Sequence, residues 1–216
     1  MPKAEQPARP EGTAAELVAE ALRLFGAKGF AATSTREIAA AAGTNVASIA
    51  YHFGGKHGLR KACGQELMRR MTATIGPALP EAGLSPEAAV RTMETMIRVL
   101  AKFLLTQREA EDLVPFMLRE LSENGPVLQD IYDSMIAPLH DRICGIWAAA
   151  TGQPAEAEAT RLKVFSLIGP LLYFRIGRPI IARRMGWAAT GTEEAQQIAE
   201  ILVGNLHAII EQERRS

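Results

Sequence analysis

Four histidines and two cysteines are the residues from which this 216-residue chain could build metal or nucleophilic chemistry. Their spacing favours neither. Cys63 and Cys144 lie far apart and outside any C-x-x-C pair, so they read as small buried hydrophobes and not as a disulfide framework or zinc ligands. His52 and His57 have no carboxylate or cysteine at matching spacing, and no metal is expected. His140 precedes Asp141 and Arg142, but sequence neighbours do not face one another on a helix, so a proton relay is not expected there. His207 sits among apolar residues and reads as a rim or interface residue. The chain contains no G-x-S-x-G, H-E-x-x-H, P-loop or G-x-G-x-x-G run. Neither enzymatic turnover nor a cofactor is therefore expected.

A different chemistry is legible in residues 33–59, TSTREIAAAAGTNVASIAYHFGGKHGL. Ser34 and Glu37 have the S-x-x-E form of a capping box and open a short helix that Gly43 stops. Asn45 or Thr44 can cap a second short helix through His52. Two short helices across a glycine turn form a helix-turn-helix, whose second helix enters a DNA major groove. Ile38, Ala39, Ala42 and Ile49 pack the pair. Asn45, Val46, Ala47 and Ser48 are left at the exposed start of the second helix, where base edges would lie. Tyr51, His52 and Lys56 follow, each able to donate to a phosphate oxygen.

The elements that position this segment are helical throughout. Leu17, Val18, Ala21, Leu24 and Phe25 line one face of a leading helix that Gly29 ends. A fourth helix starts near Lys56. GPALPEAGLSP, with three prolines and two glycines in eleven residues, reads as a linker. Helices are predicted over about 86–106, 109–122, 126–151, 155–185 and 192–214, with Pro138, Pro170 and Pro179 kinking or breaking them. No run alternates with period two. The expected fold is all-α, an N-terminal three-helix DNA-binding domain with a larger C-terminal helical bundle. Its parts are a disordered arm (1–12), the helix-turn-helix domain (13–60, the motif at 34–53), a connecting helix (61–75), a linker (76–85) and a C-terminal domain (86–216).

Composition agrees. An apolar share of 48% with 22% charged residues belongs to a folded chain. The longest apolar run, near Val164–Phe174, is too short to span a bilayer, which needs roughly 18 residues. The first twelve residues lack an apolar signal core, so a cytoplasmic, non-membrane protein is expected. Net charge is zero, yet residues 1–75 carry ten Lys and Arg against six Asp and Glu, and the remainder fourteen against eighteen. A basic first third suits a polyanionic partner.

LFGAKGF before the motif, Thr35 with Ile38-Ala39, the Ala42-Gly43 turn, then Tyr51-His52-Phe53 and Gly55-Lys56 together resemble the DNA-binding domain of the TetR/AcrR family of bacterial repressors over about residues 13–60. The resemblance implies a phosphate contact by Thr35 at a helix start, base or backbone contact by Arg36, base-edge contact by Val46 and Ala47, and phosphate contacts by Ser48, Tyr51, His52 and Lys56. Ala50 departs from the family, which often carries an aromatic residue there. Val46 and Ala47 offer no hydrogen bonds, so reading would rest on thymine methyls, with Asn45 and Arg36 as polar readers.

PFMLREL (115–121), IAPLHDRI (136–143) and VFSLIGPLLYFRIGRPIIARRMGW (164–187) resemble a CerR-type C-terminal domain of one TetR subfamily. It implies a helical domain for effector sensing and dimerisation, with double-stranded DNA, a second copy of the chain and an unidentified small molecule as partners. Candidate pocket residues are Phe103, Phe116, Met117, Trp147 and Tyr173, with Met96, Met135 and Phe165, and the polar Arg119, Glu120, His140 and Arg175. For a two-fold interface the candidates are Leu167 and Leu171, with Ile198, Leu202, Leu206 and Ile209. The same stripes could instead be buried within one chain. The reading is a ligand-responsive repressor of a pseudo-palindromic operator; the alternatives are a helical interaction module and, well behind it, an all-α enzyme with a buried pocket.

Overall fold

A computed structural model describes residues 11–80 and 83–215. The expected arm therefore lies outside the described residues up to position 10, as do positions 81 and 82 of the linker. The elements are α1 (Thr13–Lys28), α2 (Thr35–Ala41), α3 (Val46–Phe53), α4 (Lys56–Ile75), α5 (Pro86–Thr106), α6 (Glu109–Ser122), α7 (Leu128–Ile131), α8 (Ala137–Thr151), α9 (Glu158–Ile176), α10 (Arg178–Met185) and α11 (Thr192–Arg215). No strand occurs among the described residues.

Two predicted helices are each divided. The 126–151 segment becomes α7, a π-helical turn over Tyr132–Ile136, and α8, whose first turn accommodates Pro138. The 155–185 segment bends by 77° at Gly177, and Pro179 falls in the first turn of α10. Pro170 leaves α9 unbroken. Pro138 and Pro179 are harmless by position, standing in first turns where no earlier carbonyl awaits the missing N–H, whereas Pro170 stands mid-helix and denies the Ser166 carbonyl that donor. No single described helix is long and apolar enough to cross a membrane.

The chain forms two compact units that do not follow sequence order. The first holds residues up to Thr72 together with Glu111–Met135, and the second holds Ala73–Ala110 and Ile136–Ser216. The sequence division had placed all of 86–216 in one C-terminal domain.

The first unit shows why 111–135 belong to it. Leu17, Val18, Ala21, Leu22, Leu24 and Phe25 of α1 are buried with Ile38 and Ala39 of α2, Ile49 of α3, and Leu59, Cys63 and Leu67 of α4. Leu113, Val114 and Phe116 of α6 are buried too. At Gly26 a Cβ would stand 3.0 Å from the Phe116 nitrogen and 3.1 Å from Pro115 Cβ, so α1 and α6 approach to a distance only glycine allows. Arg119 donates from Nε to the Gly26 carbonyl (3.3 Å) and from Nη2 to that of Ala27 (3.2 Å), satisfying acceptors in the last turn of α1.

The turn between α3 and α4 is fixed by Gly54 (φ 68°) and Gly55 (φ 125°), both in the left-handed region. Just beyond, a Cβ on Gly58 would collide with the Phe53 carbonyl oxygen. Gly58→Ala is expected to lower the melting temperature by several degrees, consistent with a loss of about 1–3 kcal/mol from overpacking against backbone. A variant melting at the wild-type temperature would show that this turn relaxes freely.

In the second unit α5 lies along α8, α9 and α11. Met93, Met96, Ile97, Leu100, Phe103 and Leu104 of α5 are buried with Ile143, Cys144, Trp147 and Ala150 of α8, Val164, Leu167 and Leu171 of α9, and Ile198, Leu202, Leu206 and Ile210 of α11. Polar contacts close the rim: ion pairs of Arg98 with Glu200 (2.8 Å) and Lys163 with Glu213, and a hydrogen bond between His207 and Glu94 (2.8 Å).

Candidate nucleic-acid interface

α2 begins at Ser34, whose Oγ accepts from the Glu37 backbone N–H at 3.1 Å. The Glu37 carboxylate pairs with Lys28 of α1, and that partner first, with the Ser34 backbone N–H also contributing, holds its pKa below the usual value. Across the Gly43 turn Asn45 caps α3, its Oδ1 accepting from the Ser48 N–H at 3.1 Å and from the Ser48 hydroxyl at 3.3 Å. The Ser48 and Thr44 hydroxyls lie 3.0 Å apart. Asn45 and Ser48 thus hold the helix start with the atoms that the sequence assigned to DNA, and the Asn45 amide nitrogen stays available as a donor.

Ile49 is the buried anchor of α3. Around it Val46, Ala47, Ala50, Tyr51 and His52 are exposed, Tyr51 at 84%. The Tyr51 and His52 rings meet edge to face at 4.9 Å between centroids. Arg36 is exposed on α2 and Thr35 is half-buried at its first position. The first turn of α3 therefore presents a small apolar surface, and its last turn an aromatic and imidazole rim.

Lys56 is placed differently from a free phosphate grip. Its Nζ donates to the Phe30 carbonyl at 2.5 Å and lies 4.2 Å over the Phe30 ring, which the Arg60 guanidinium also covers at 4.5 Å. Burial, with the nearby Arg60 charge second, lowers the Lys56 pKa. One of its three N–H donors thus ties α4 to the loop after α1, and two stay free. Lys56→Ala is expected to weaken binding to all duplexes alike, reduce the salt slope by about one, and lower the melting temperature slightly. Val46→Ala should instead change preference among sequences at unchanged salt slope. Identical binding defects in the two variants would contradict this division.

Arg60 also carries a link that sequence reading missed. Its Nε donates to Glu120 Oε1 at 2.6 Å, with both side chains almost fully buried, and Glu123 lies 3.8 Å from its Nη2. Among the described residues Glu120 Oε2 has no hydrogen-bond partner. A lone acid in the apolar run PFMLREL was the visible signal; its partner sixty residues away was not.

These contacts correct the pocket set. Phe116, Met117, Arg119 and Glu120 fall in the first unit. There the Phe116 backbone nitrogen lies against Gly26 and its side chain is buried, and Arg119 and Glu120 have the partners just given. Tyr173 is 61% exposed, and half-buried Arg175 donates to the Ala110 carbonyl at 3.3 Å. Phe103, His140 and Trp147 remain in the interior of the second unit.

The interface set needs a similar correction. Leu167, Leu171, Ile198, Leu202 and Leu206 are buried within the protomer, and Ile209 is half-buried. A side chain already removed from water has no surface left to give a second copy. The large apolar residues left outside on α9 and α11 are Leu162, Phe165, Tyr173, Ile176 and Ile201.

Comparison with known proteins agrees with this architecture. Residues 17–63 match the family described as bacterial regulatory proteins, tetR family, and residues 89–212 match the C-terminal domain of the HTH-type transcriptional dual regulator CecR. The CecR regulator of Shigella flexneri is 34% identical over 204 residues, covering 91% of this chain and 90% of its own. The probable HTH-type regulator YttP of Bacillus subtilis (strain 168) is 30% identical over 56% of each chain. Among solved structures, AibR in complex with isovaleryl coenzyme A and operator DNA shares the fold at a TM-score of 0.66 and 20% identity, over 89% of this chain and 97% of that one. The ketosteroid transcriptional regulator KstR2 of Mycobacterium tuberculosis does so at 0.66 and 17%, over 93% and 98%. With a capped, outward-facing α3 behind a glycine turn and a matching C-terminal half, this chain belongs to the TetR family of bacterial DNA-binding transcriptional regulators and carries a CecR-type C-terminal domain.

Proposed function

We propose that the protein is a cytoplasmic homodimeric repressor. It binds a pseudo-palindromic operator and is released by a small apolar or amphipathic effector taken into the helices of the second unit. The observation that carries the dimer is the outer face of α9 and α11, where Leu162, Phe165, Tyr173, Ile176 and Ile201 are each more than half exposed. Apolar side chains concentrated on adjacent helices in this way mark a surface that another protein covers. A two-fold axis through that face gives two copies of α3, one for each half-site.

Thr35, Arg36, Asn45, Val46, Ala47, Ser48, Tyr51, His52 and Lys56 make the DNA contacts in this reading, with Val46 and Ala47 against base edges. Release is a population shift. An effector acts only through its higher affinity for a state whose two α3 helices are wrongly spaced for the operator. AibR in complex with isovaleryl coenzyme A and the ketosteroid regulator KstR2 support an effector of the apolar or amphipathic class: the acyl group and the steroid are apolar, and the coenzyme A carries phosphates.

Phe165→Glu combined with Ile201→Glu tests the dimer. Sedimentation should give the 23.4 kDa of one chain where the wild type gives twice that, and affinity for a two-half-site duplex should fall sharply while the helical circular dichroism stays the same. A variant that remains dimeric would place the interface elsewhere.

A further inference from the structure

Trp147 is fully buried, and among the described residues its indole Nε1 has no hydrogen-bond partner. A core that needed only volume would be served by phenylalanine, which brings no donor to satisfy. An N–H held dry and unpaired is costly unless something visits it.

The neighbouring polar groups on α8 are accounted for. His140, Cys144 and Trp147 recur at four- and three-residue spacing along one face. His140 stacks on Phe165 at 4.1 Å and donates from Nε2 to the Arg161 carbonyl at 3.1 Å, which leaves Nδ1 to accept from the Cys144 thiol at 3.7 Å. Thr160 donates to the Pro154 carbonyl at 2.8 Å. The indole alone on that face is left waiting.

The surroundings define what could meet it. Among the described residues of the second unit the buried polar or charged side chains are His140, Thr160 and Thr190, and none is Lys, Arg, Asp or Glu. The charged groups nearest this face, Arg161 and Arg214, stand at exposed positions on its rim, so the part of the guest that reaches the fully buried Trp147 is uncharged. Met93 and Met96, three apart and buried on α5, which lies along α8, are flexible thioethers able to give way.

We propose that the Trp147 N–H is the hydrogen-bond donor that selects the effector, and that the effector is a neutral apolar molecule with an acceptor oxygen of the ketone, ester or ether class. This deepens the effector reading above and rests on it.

The test uses the full chain, labelled with 15N-tryptophan. The sequence has two tryptophans, so Trp187→Phe leaves the Trp147 indole as a single resonance. The probes are 2-decanone and its isostere 2-methyl-1-decene, which differ only in C=O against C=CH2. In free protein the N–H should resonate where unbonded indoles do. The ketone should move it downfield, and the alkene should bind without doing so. The wild type should prefer the ketone about tenfold, the value of one such bond, and Trp147→Phe should bind both alike.

An indole already hydrogen-bonded without ligand, equal shifts from both probes, or no shift from either would overturn the assignment. The two readings can fail separately. A protein that holds the ketone through Trp147 but keeps its grip on operator DNA retains this site and loses the effector role. One that is released by some other compound, with the indole unmoved, keeps the effector role and loses this site.

Discussion

Glu120→Ala should cost about 3–5 kcal/mol of stability and lower the melting temperature by about 10 °C, because it strands the Arg60 guanidinium in a buried site. The carboxylate is held 2.6 Å from Arg60 Nε, and both side chains are under a tenth exposed. Lost attraction between them is the smaller part of the effect; the larger is a buried charge left with only the half-exposed Glu123, 3.8 Å from its Nη2, to offset it. Replacing both ends by apolar residues of similar size, as in Arg60→Met with Glu120→Leu, should recover most of the loss. A double-mutant cycle in thermal unfolding measures this directly. If Glu120→Ala costs under about 1 kcal/mol, water enters this site and the pair is not the buried link described.

Ala47→Glu should separate binding from folding. Ala47 is exposed in the first turn of α3, where a carboxylate meets the positive end of the helix dipole, so stability should stay the same or rise by a few tenths of a kcal/mol. Against DNA the same carboxylate faces base edges and phosphates. Juxtaposed like charges cost several kcal/mol, so affinity should fall on the order of a hundredfold or more. The pair of measurements is a melting curve and a titration of labelled duplex. A variant that binds normally would remove α3 from the interface.

The helix-turn-helix was legible because its signals are local. Ser34 and Asn45 cap their helices, Gly43 and Gly54 sit at positive φ, and Ile38 and Ile49 are buried, all within one short stretch. The second half was legible as helices but not as surfaces. Periodicity found the stripe Ile198–Leu202–Leu206 and could not say whether a neighbouring helix or a second copy covers it; α5 lies along α11 and covers it. The same limit applies to Phe116, Arg119 and Glu120, which fall in the first unit. A polar residue in an apolar run needs a partner, and the sequence does not say whether that partner is a ligand or, as for Glu120, an arginine in the first unit. Lys56 shows the remaining gap. Its place after a glycine turn matches a phosphate contact, while its bond to the Phe30 carbonyl depends on how the loop after α1 closes.

That the chain reads double-stranded DNA through paired α3 helices is tested most directly by selection from random duplexes with the purified wild-type protein at moderate salt. The expected product is an inverted repeat whose half-sites are separated by one helical turn of about 10 base pairs, or a multiple of it. Its binding should be lost in Ala47→Glu and weakened uniformly in Lys56→Ala. Folded wild-type protein that enriches no sequence, or that enriches one which Ala47→Glu binds equally well, would contradict the account.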